Sequence, residues 1–234
     1  MIVQYNGLNF NGFQKQKTGN TIQDKLEDAL KIILKHDVQT VGSGRTDAKV
    51  SAFYQPVHFE TDKEIDQYKF LHSINGILPA EIKVLSVSKT EKHARFDAKS
   101  KTYVYKMYTS NTPLPLNANA LQISKNINIK KMKKFLRLLI GTHDFKGFQS
   151  SGSPTETTIR TIYYAKLHIC KNDITLKITG NGFLYKMVRN IVGTMLRVGE
   201  GKLNLEEIKP NLFTTFKASN TAKPEYLYLY NVEY

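Results

Sequence analysis

The segment Thr102-Tyr-Val-Tyr-Lys-Met-Tyr108 decides the interpretation of the fold. It predicts a strand, and from this strand onward the order of strands and helices repeats that of the first half of the chain. Its side chains alternate as they do on a strand with one buried face. A helical spacing then follows over 129–140 and ends before a glycine. The apolar face of this helix comprises Ile129, Met132, Phe135, Leu136, Leu139 and Ile140. The remaining predicted elements are a hairpin over 159–178, a long helix over 183–198 and a strand over 226–234.

The first half of the chain has the same order of elements. Ile2-Val-Gln-Tyr5 predicts a strand, and Asn20-Thr21-Ile22-Gln23 has the polar residues of a capping box that opens a helix. The apolar face of that helix comprises Ile22, Leu26, Leu30, Ile33 and Leu34. Two β-rich runs, 38–41 and 54–59, come next. A second helix with apolar residues at Ile65, Tyr68, Leu71 and Ile74 precedes a strand over 82–87.

Two halves with the order βαββαβ predict an α+β protein. We expect two ferredoxin-like, RRM-like units whose mainly antiparallel sheets lie side by side, with a ligand-binding cleft between them. The amino-terminal unit is expected over 1–100 and the carboxyl-terminal unit over 101–234. The irregular stretch 147–156 predicts either a loop that closes on a ligand or a plain surface hairpin.

The charge of the chain points to a polyanionic partner. It has 34 Lys and Arg against 20 Asp and Glu, a net charge of +14, which favours nucleic acid as the ligand. Residues 98–142 contain no acidic side chain but nine basic ones. Within them Lys130 and Lys134 predict a phosphate-binding stripe on a helix, although a solvated Lys-rich surface explains the same composition.

Length and composition exclude several classes of protein. With 234 residues, 41% of them hydrophobic and 23% charged, the chain is ordinary for a globular fold and is not expected to be disordered. No apolar run approaches the ~18 residues of a membrane span, and the amino end lacks the pattern of an export signal. Cys170 is the only cysteine and the histidines are scattered, so we expect a cytoplasmic protein without a metal site.

The segment Gly42-Ser-Gly-Arg-Thr-Asp47 is the first candidate for chemistry. It follows a predicted strand, and its glycines permit a tight backbone that presents Asp47 at a rim. An aspartate in such a place also serves commonly as a helix cap or an Asx-turn residue. The segment alone therefore leaves both roles open.

The longer segment Gly44-Arg-Thr-Asp-Ala-Lys-Val-Ser-Ala52 resembles the active-site motif of the TruA family of tRNA pseudouridine synthases, which runs Gly-Arg-Thr-Asp-Ala-Gly-Val-His. Further blocks resemble that family in the same order, from residue 3 to the carboxyl end. They include Tyr5-Asn-Gly, Gly12-Phe-Gln-Lys-Gln16, Val57-His-Phe59, His93-Ala-Arg-Phe96 with Lys101-Thr-Tyr103, Thr158-Ile-Arg160, and Asn181-Gly-Phe-Leu-Tyr-Lys-Met-Val-Arg-Asn-Ile-Val-Gly193. Three positions depart from the family pattern. Lys49 replaces a Gly, Ser51 replaces a His, and Tyr226 stands where a Gly usually precedes the last strand.

The resemblance implies an enzyme that converts uridine to pseudouridine at positions 38, 39 and 40 of the anticodon stem-loop. It implies that Asp47 is the essential carboxylate, that Arg189 pairs with it, and that Tyr103 stacks on the uracil and removes its C5 proton. It also implies that Arg45 contacts phosphate or helps to flip the nucleotide out, beside Thr46 and Phe183 in the substrate-binding set. The family needs no cofactor and works as a homodimer.

Each of these residues also has a structural interpretation. Tyr103 suits a strand aromatic that packs on its sheet, and Phe183 suits the core. Arg189 interrupts an apolar helical stretch, so an ion pair is expected there in either case. The alternative function is a non-catalytic RNA-binding or RNA-folding protein with a decayed site. A metal-dependent nuclease is disfavoured because clustered carboxylates are missing from the sequence.

Overall fold

The computed structural model describes residues 1–152 and 155–234, which form two compact units. The first unit comprises Met1–Lys99 together with Tyr228–Tyr234, and the second comprises Ser100–Leu227. The boundary between Lys99 and Ser100 lies one residue before the expected one. The last seven residues, Tyr228–Tyr234, group with the first unit. Both units mix helices with mostly antiparallel strands, so the predicted α+β class is confirmed.

Residues 1–99 contain β1 (Ile2–Tyr5), α1 (Ile22–Leu34), β2 (Val41–Gly42), β3 (Ser51–His58), α2 (Gln67–Ile77) and β4 (Ile82–Ser86). Residues 100–234 contain β5 (Ser100–Thr109), β6 (Leu121–Ile123), α3 (Ile129–Leu138), β7 (Gly141–Asp144), β8 (Ile159–Cys170), β9 (Asp173–Gly180), α4 (Met187–Gly199), α5 (Leu205–Ile208) and β10 (Leu227–Glu233). The strands β6 and β7 and the short helix α5 were not expected from the sequence. β6 and α5 span only three and four residues, too few for a periodic pattern, and β7 contains no apolar residue that could alternate.

The sheet of the first unit is centred on β1 and β3. β1 pairs antiparallel with both β3 and β4, and β2 pairs antiparallel with β3. On β10, Tyr228 lies opposite Ser51 in a parallel arrangement with β3. A strand from the far end of the chain therefore completes the sheet that begins at residue 2.

A capping box opens helix α1, but one residue later than the segment Asn20–Gln23 predicts, with Thr21 as the N-cap and Asp24 as its partner. The Thr21 hydroxyl accepts a hydrogen bond from the Asp24 backbone N–H, and the Asp24 carboxylate accepts one from the Thr21 N–H. These two bonds satisfy backbone donors that a helix start leaves unpaired. Four of the five predicted apolar residues are fully buried, and Ile33 is half-buried.

Helix α2 exists where it was predicted, but of the apolar face assigned to it only Ile74 is buried. Tyr68 is 82% exposed and Leu71 is only half-buried, whereas Phe70 and Ile74 are buried. The helix begins at Gln67, capped by the Asp66 side chain. Phe70 and Ile74 are four residues apart and therefore share the face that meets the core.

In the second unit β9 lies between β5 and β8, antiparallel to both, and β7 pairs with the other edge of β8. The predicted hairpin is confirmed, with Lys171 in the left-handed region (φ 52°) at its turn. Helix α3 buries Met132, Phe135 and Leu136 as predicted, although Ile140 lies beyond its end and is exposed.

Helix α4 begins at Met187, four residues later than predicted. Lys186 precedes it with φ 58°, a left-handed conformation that an α-helix cannot include. The predicted loop over 147–156 contains residues 153 and 154, which lie outside the described residues. Within residues 1–152 and 155–234, no helix is both long and apolar enough to cross a membrane.

Candidate active site

Asp47 lies in the connection between β2 and β3, which we call the Asp47 loop (residues 43–50). The Asp47 side chain is half-buried, Thr46 is buried, and Arg45 is exposed. The backbone carbonyl of Asp47 accepts a hydrogen bond from Val50 N at 3.1 Å, which closes a tight turn after the carboxylate. The loop therefore presents one carboxylate and one guanidinium on neighbouring positions.

A buried glutamine holds the start of this loop. Gln55, on β3, is fully buried, and its Oε1 accepts a hydrogen bond from the Ser43 hydroxyl at 3.0 Å. Its Nε2 donates to the Gly44 carbonyl at 2.5 Å. Both ends of one amide side chain are thus used to fix two consecutive loop residues. Unpaired, these groups would each cost about 1–3 kcal/mol in the interior.

The middle of the loop is held from the other side by the segment after β1. The Tyr5 hydroxyl and the Thr46 hydroxyl form a buried hydrogen bond of 2.8 Å, and the backbone N–H of Phe13 donates to the Thr46 carbonyl. Gly12 has φ +93°, and a Cβ there would lie 2.7 Å from the Thr46 carbonyl oxygen. Only glycine permits this approach of two backbones. The contacts with Tyr5, Gly12 and Phe13 therefore fix the position of Thr46 in the loop.

Two of the three departures from the family pattern lie in or next to this loop. Lys49 has φ +66°, the left-handed conformation that glycine adopts without strain, so the lysine keeps a backbone shape that suits the Gly of the family motif. Ser51 is buried, and its hydroxyl accepts a hydrogen bond from Gly7 N at 2.9 Å. The third departure, Tyr226, packs edge-on against the buried ring of Tyr105 at 6.3 Å.

In the second unit the structure brings Tyr103 and Phe183 together. Tyr103 lies on β5, 8% exposed, and its ring meets that of Phe183 at 5.2 Å with an interplanar angle of 87°. Phe183 is half-buried and lies in the segment between β9 and α4. The edge-to-face contact is a favourable aromatic geometry that fixes the plane of the Tyr103 ring.

Arg189 lies on the first turn of α4 and is half-buried. Its Nε donates a hydrogen bond of 2.8 Å to the Ala222 carbonyl, and Ala222 N donates to the Arg189 carbonyl at 3.1 Å. This reciprocal pair orients the guanidinium through one of its five donors. The predicted ion-pair partner of Arg189 stays a prediction.

Lys130 and Lys134 lie on α3 with their side chains exposed, beside Lys131, Lys133 and Arg137. The first turn of this helix has no acidic residue. Like charges four residues apart, and cations at a helix amino end, both oppose helix stability. The arrangement costs the free protein some stability and suits an anionic ligand.

The described side chains of the candidate site thus form two sets, each within its own unit. Arg45, Thr46 and Asp47 share the Asp47 loop of the first unit, while Tyr103, Phe183 and Arg189 belong to the second. Sequence reasoning missed Gln55 and Ser43 as supports of the loop. A signal existed, since Gln55 is an amide inside a β-rich run, where a buried polar side chain needs partners. Among the described residues, no three His, Cys, Asp or Glu converge as a metal site would require.

Comparison with known proteins places this chain in a family. A family model described as tRNA pseudouridine synthase matches residues 135–234. The tRNA pseudouridine synthase A of Thermoanaerobacter sp. (strain X514) is 39% identical over 239 residues, covering 100% of this chain and 98% of the relative. That of Acetivibrio thermocellus is 38% identical over 240 residues, with the same coverage of both chains. The solved structure titled "Crystal Structure of a Cbf5-Nop10-Gar1 Complex" is similar over 85% of this chain and 45% of that chain at 15% identity, with a TM-score of only 0.39.

Identity at this level along the entire chain defines the class of protein as isomerases that act on uridine in tRNA. The chain belongs to the tRNA pseudouridine synthase A family, and the TruA resemblance of its motifs is confirmed.

Proposed function

We propose that this enzyme isomerises uridines 38, 39 and 40 of the tRNA anticodon stem-loop, with Asp47 as its essential carboxylate. The observation that carries the proposal is the place of Asp47 within the described fold. It lies on a loop that buried hydrogen bonds from Tyr5, Gln55 and Phe13 hold on both sides. Catalytic groups are effective when surrounding contacts fix their position before substrate arrives.

The reaction exchanges one bond for another. The N1–C1′ glycosidic bond breaks, the uracil turns, C5 joins C1′, and the proton on C5 leaves and is replaced by one on N1. The oxidation state does not change overall, so the chemistry requires no redox cofactor. It does require a carboxylate, a cation that keeps the carboxylate ionised, a ring that holds the detached base, and a base for the C5 proton.

We assign these roles to residues of both units. Asp47 supplies the carboxylate, and Arg189 supplies the positive charge that pairs with it. Tyr103 holds the uracil and accepts the C5 proton, with Phe183 fixing the plane of its ring through their contact of 5.2 Å. Arg45, exposed next to Asp47, contacts a phosphate or helps to flip the nucleotide, and Thr46 lines the same loop.

Binding of tRNA is assigned in part to α3. Lys130 and Lys134 are exposed on a helix whose charges weaken it, a cost that an anionic ligand offsets. The net charge of +14 has the sign that a polyanion requires. We also propose that the enzyme is a cytoplasmic homodimer that holds no metal.

We further propose that the two units are ferredoxin-like domains. In the first unit the four strands of residues 1–99 pair antiparallel in the order β4-β1-β3-β2, which is the order that a βαββαβ unit of this type adopts, and β10 adds a parallel strand beside β3. In the second unit, β5-β9-β8 repeats the central part of that order. The proposed domains follow the division near residue 100.

The test is the release of tritium from tRNA transcripts labelled at uridine C5. We expect release by the wild-type enzyme and none by Asp47→Ala, because this variant lacks the carboxylate that the proposed reaction requires. Asp37→Ala is the matched control, because it removes an exposed carboxylate of the same unit that forms a surface ion pair with Lys31. Binding of tRNA should survive in both variants.

Two outcomes would contradict the proposal. Tritium release by a folded Asp47→Ala variant would remove Asp47 from its role. A wild-type protein that binds tRNA but releases no tritium would favour the alternative, a non-catalytic RNA-binding protein with a decayed site. Mapping of pseudouridine in the product would test the assignment to positions 38–40.

A further inference from the structure

We propose that Phe96 and Arg95 form a binding site for an unpaired nucleobase of the substrate RNA and its adjoining phosphate. The inference rests on the proposed function only in taking tRNA as the ligand. Phe96 lies in the turn of residues 93–97, which we call the 93–97 turn, between β4 and β5. It is 75% exposed, although burial of such a ring would be worth about 1.5–3 kcal/mol.

The Phe96 ring already stacks on one neighbouring ring. One of its faces lies on the His93 ring at a centroid distance of 4.3 Å and an interplanar angle of 24°. A flat ring backed by a second flat ring and 75% exposed is an arrangement on which an unpaired base stacks. The guanidinium carbon of Arg95 lies over the same ring, 5.6 Å from its centroid. A cation there can contact the phosphate of the stacked nucleotide.

The 93–97 turn is held rigid by hydrogen bonds along its length. His93 Nδ1 accepts the backbone N–H groups of both Arg95 and Phe96 at 3.1 Å. The Asp97 carboxylate accepts His93 N at 2.7 Å, and Asp97 N donates back to the His93 carbonyl. Rings presented by such a fixed backbone lose little conformational entropy on binding.

The body of the first unit anchors the same turn at Ala94. Its backbone N–H donates to His58 Nδ1 at 2.9 Å, and its carbonyl accepts the Tyr234 hydroxyl at 2.6 Å. Burial lowers the pKa of His58. This favours the neutral imidazole that the acceptor role requires. The exposed ring is therefore a fixed part of the surface, and exposure by fraying of a loose loop does not explain it.

The chemistry of the site selects its ligand. A ring face next to a guanidinium is complementary to a planar base with an attached phosphate, and the protein carries a charge of +14 that attracts RNA. A base inside a duplex has no free face, so the site takes a nucleotide from a loop or one flipped out of its stem. The structure thus assigns Phe96 to binding of the RNA, separate from bond breaking.

Equilibrium binding of a tRNA transcript at several salt concentrations tests the proposal. Phe96→Ala should weaken affinity by about 5- to 150-fold, the value of one base–aromatic stack, with an unchanged slope of log K against log salt because no charge is lost. Phe96→Tyr should restore affinity. Arg95→Ala should reduce the magnitude of the slope by about one. The matched control is Tyr68→Ala, which removes an exposed aromatic ring from α2 of the same unit.

Three results would overturn the inference. The first is unchanged affinity in Phe96→Ala, and the second is full rescue by Phe96→Leu, which would indicate apolar contact without stacking. The third is a change in the sedimentation equilibrium of the free protein, which would assign Phe96 to an interface between copies of the chain. Failure of the proposed function is distinguishable, because tritium release by the wild-type enzyme and affinity of the Phe96 variants are separate measurements.

Discussion

Single residues around Asp47 show how closely its position depends on contacts that lie far apart in the sequence. Gly7 lies against the loop, where a Cβ would come within 2.0 Å of the Val50 carbonyl oxygen. Ser51, which replaces the family's His, uses its hydroxyl to bind Gly7 N. Lys49 has φ +66°, a conformation that glycine adopts without strain. Both substituted positions therefore take part in the backbone geometry of the Asp47 loop or its neighbour Gly7.

A substitution of Gln55 should distinguish an effect on the position of the Asp47 loop from an effect on the binding of tRNA. In Gln55→Met a side chain of similar length replaces the amide, so the hydrogen bonds from the Ser43 hydroxyl to Oε1 and from Nε2 to the Gly44 carbonyl are lost. We expect the free energy of unfolding to fall by about 1–3 kcal/mol. The rate of pseudouridine formation at saturating tRNA should fall more than about tenfold, since small displacements of a catalytic group are costly.

Gln122→Met is the control for this prediction. Gln122 also donates one amide hydrogen bond to a carbonyl, that of Ser110, but it lies in the second unit. Urea unfolding and single-turnover rates would be measured for both variants. Equal rates in the two, at equal stability, would show that Gln55 only supports the fold.

Among the elements, α3 shows a conflict between stability and charge. It buries Met132, Phe135 and Leu136 on one side and exposes five cations on the other, two of them on its first turn. Helix amino ends favour acidic residues. The residues that weaken this helix are therefore the ones that the proposed function uses.

This conflict predicts that a single substitution stabilises the fold and weakens the binding of tRNA. Lys130→Glu places an acid on the first turn and creates an i,i+4 pair with Lys134, so the free energy of unfolding should rise by about 0.5–1 kcal/mol. The affinity for tRNA should fall, and the salt slope should decrease by roughly one unit per lost phosphate contact. Lys69→Glu, at an exposed position of α2, is the control that shows how much a change of net charge alone affects binding. An unchanged slope would remove α3 from the binding surface.

At the scale of the whole molecule, both units contain a phenol that burial keeps protonated. In the first unit, burial raises the pKa of Tyr234 to about 12, and its hydroxyl binds the Ala94 carbonyl. In the second unit, burial raises the pKa of Tyr105, whose hydroxyl donates to the Lys223 carbonyl at 3.0 Å. Stability at alkaline pH is thus limited in both units by the same chemistry.

The direction of this pH dependence follows from linkage. A folded-state pKa above the unfolded value of about 10 means that the folded protein holds the proton more tightly. The contribution of Tyr234 to stability is therefore complete below pH 10 and is lost as the pH rises toward its folded pKa of about 12. Tyr234→Phe should make the fall in the free energy of unfolding shallower across that interval. Urea unfolding checks this, with Tyr230→Phe as an exposed control, and parallel curves for the wild type and Tyr234→Phe would contradict it.

The sequence by itself determined the elements and the identity of the chemical groups. The capping box at Thr21, the apolar periodicity of α3 and the hairpin at Lys171 act between residues a few positions apart, so local patterns predict them. The segment around Asp47 likewise shows its family through contiguous residues. The errors, such as the face of α2 and the start of α4, occur where two spacings compete or where one residue leaves the helical conformation.

Only the tertiary structure decided which distant groups meet. The Tyr5 hydroxyl binds Thr46 across 41 positions, and the Tyr234 hydroxyl binds the Ala94 carbonyl across 140. Strand register selects these partners, and register depends on the packing of all strands together. The same reason explains why the sequence suggested a buried amide at Gln55 but not its support of the Asp47 loop, and why the exposure of the Phe96 ring could not be predicted. Local interactions select the elements, whereas the partners of each polar group depend on the complete fold.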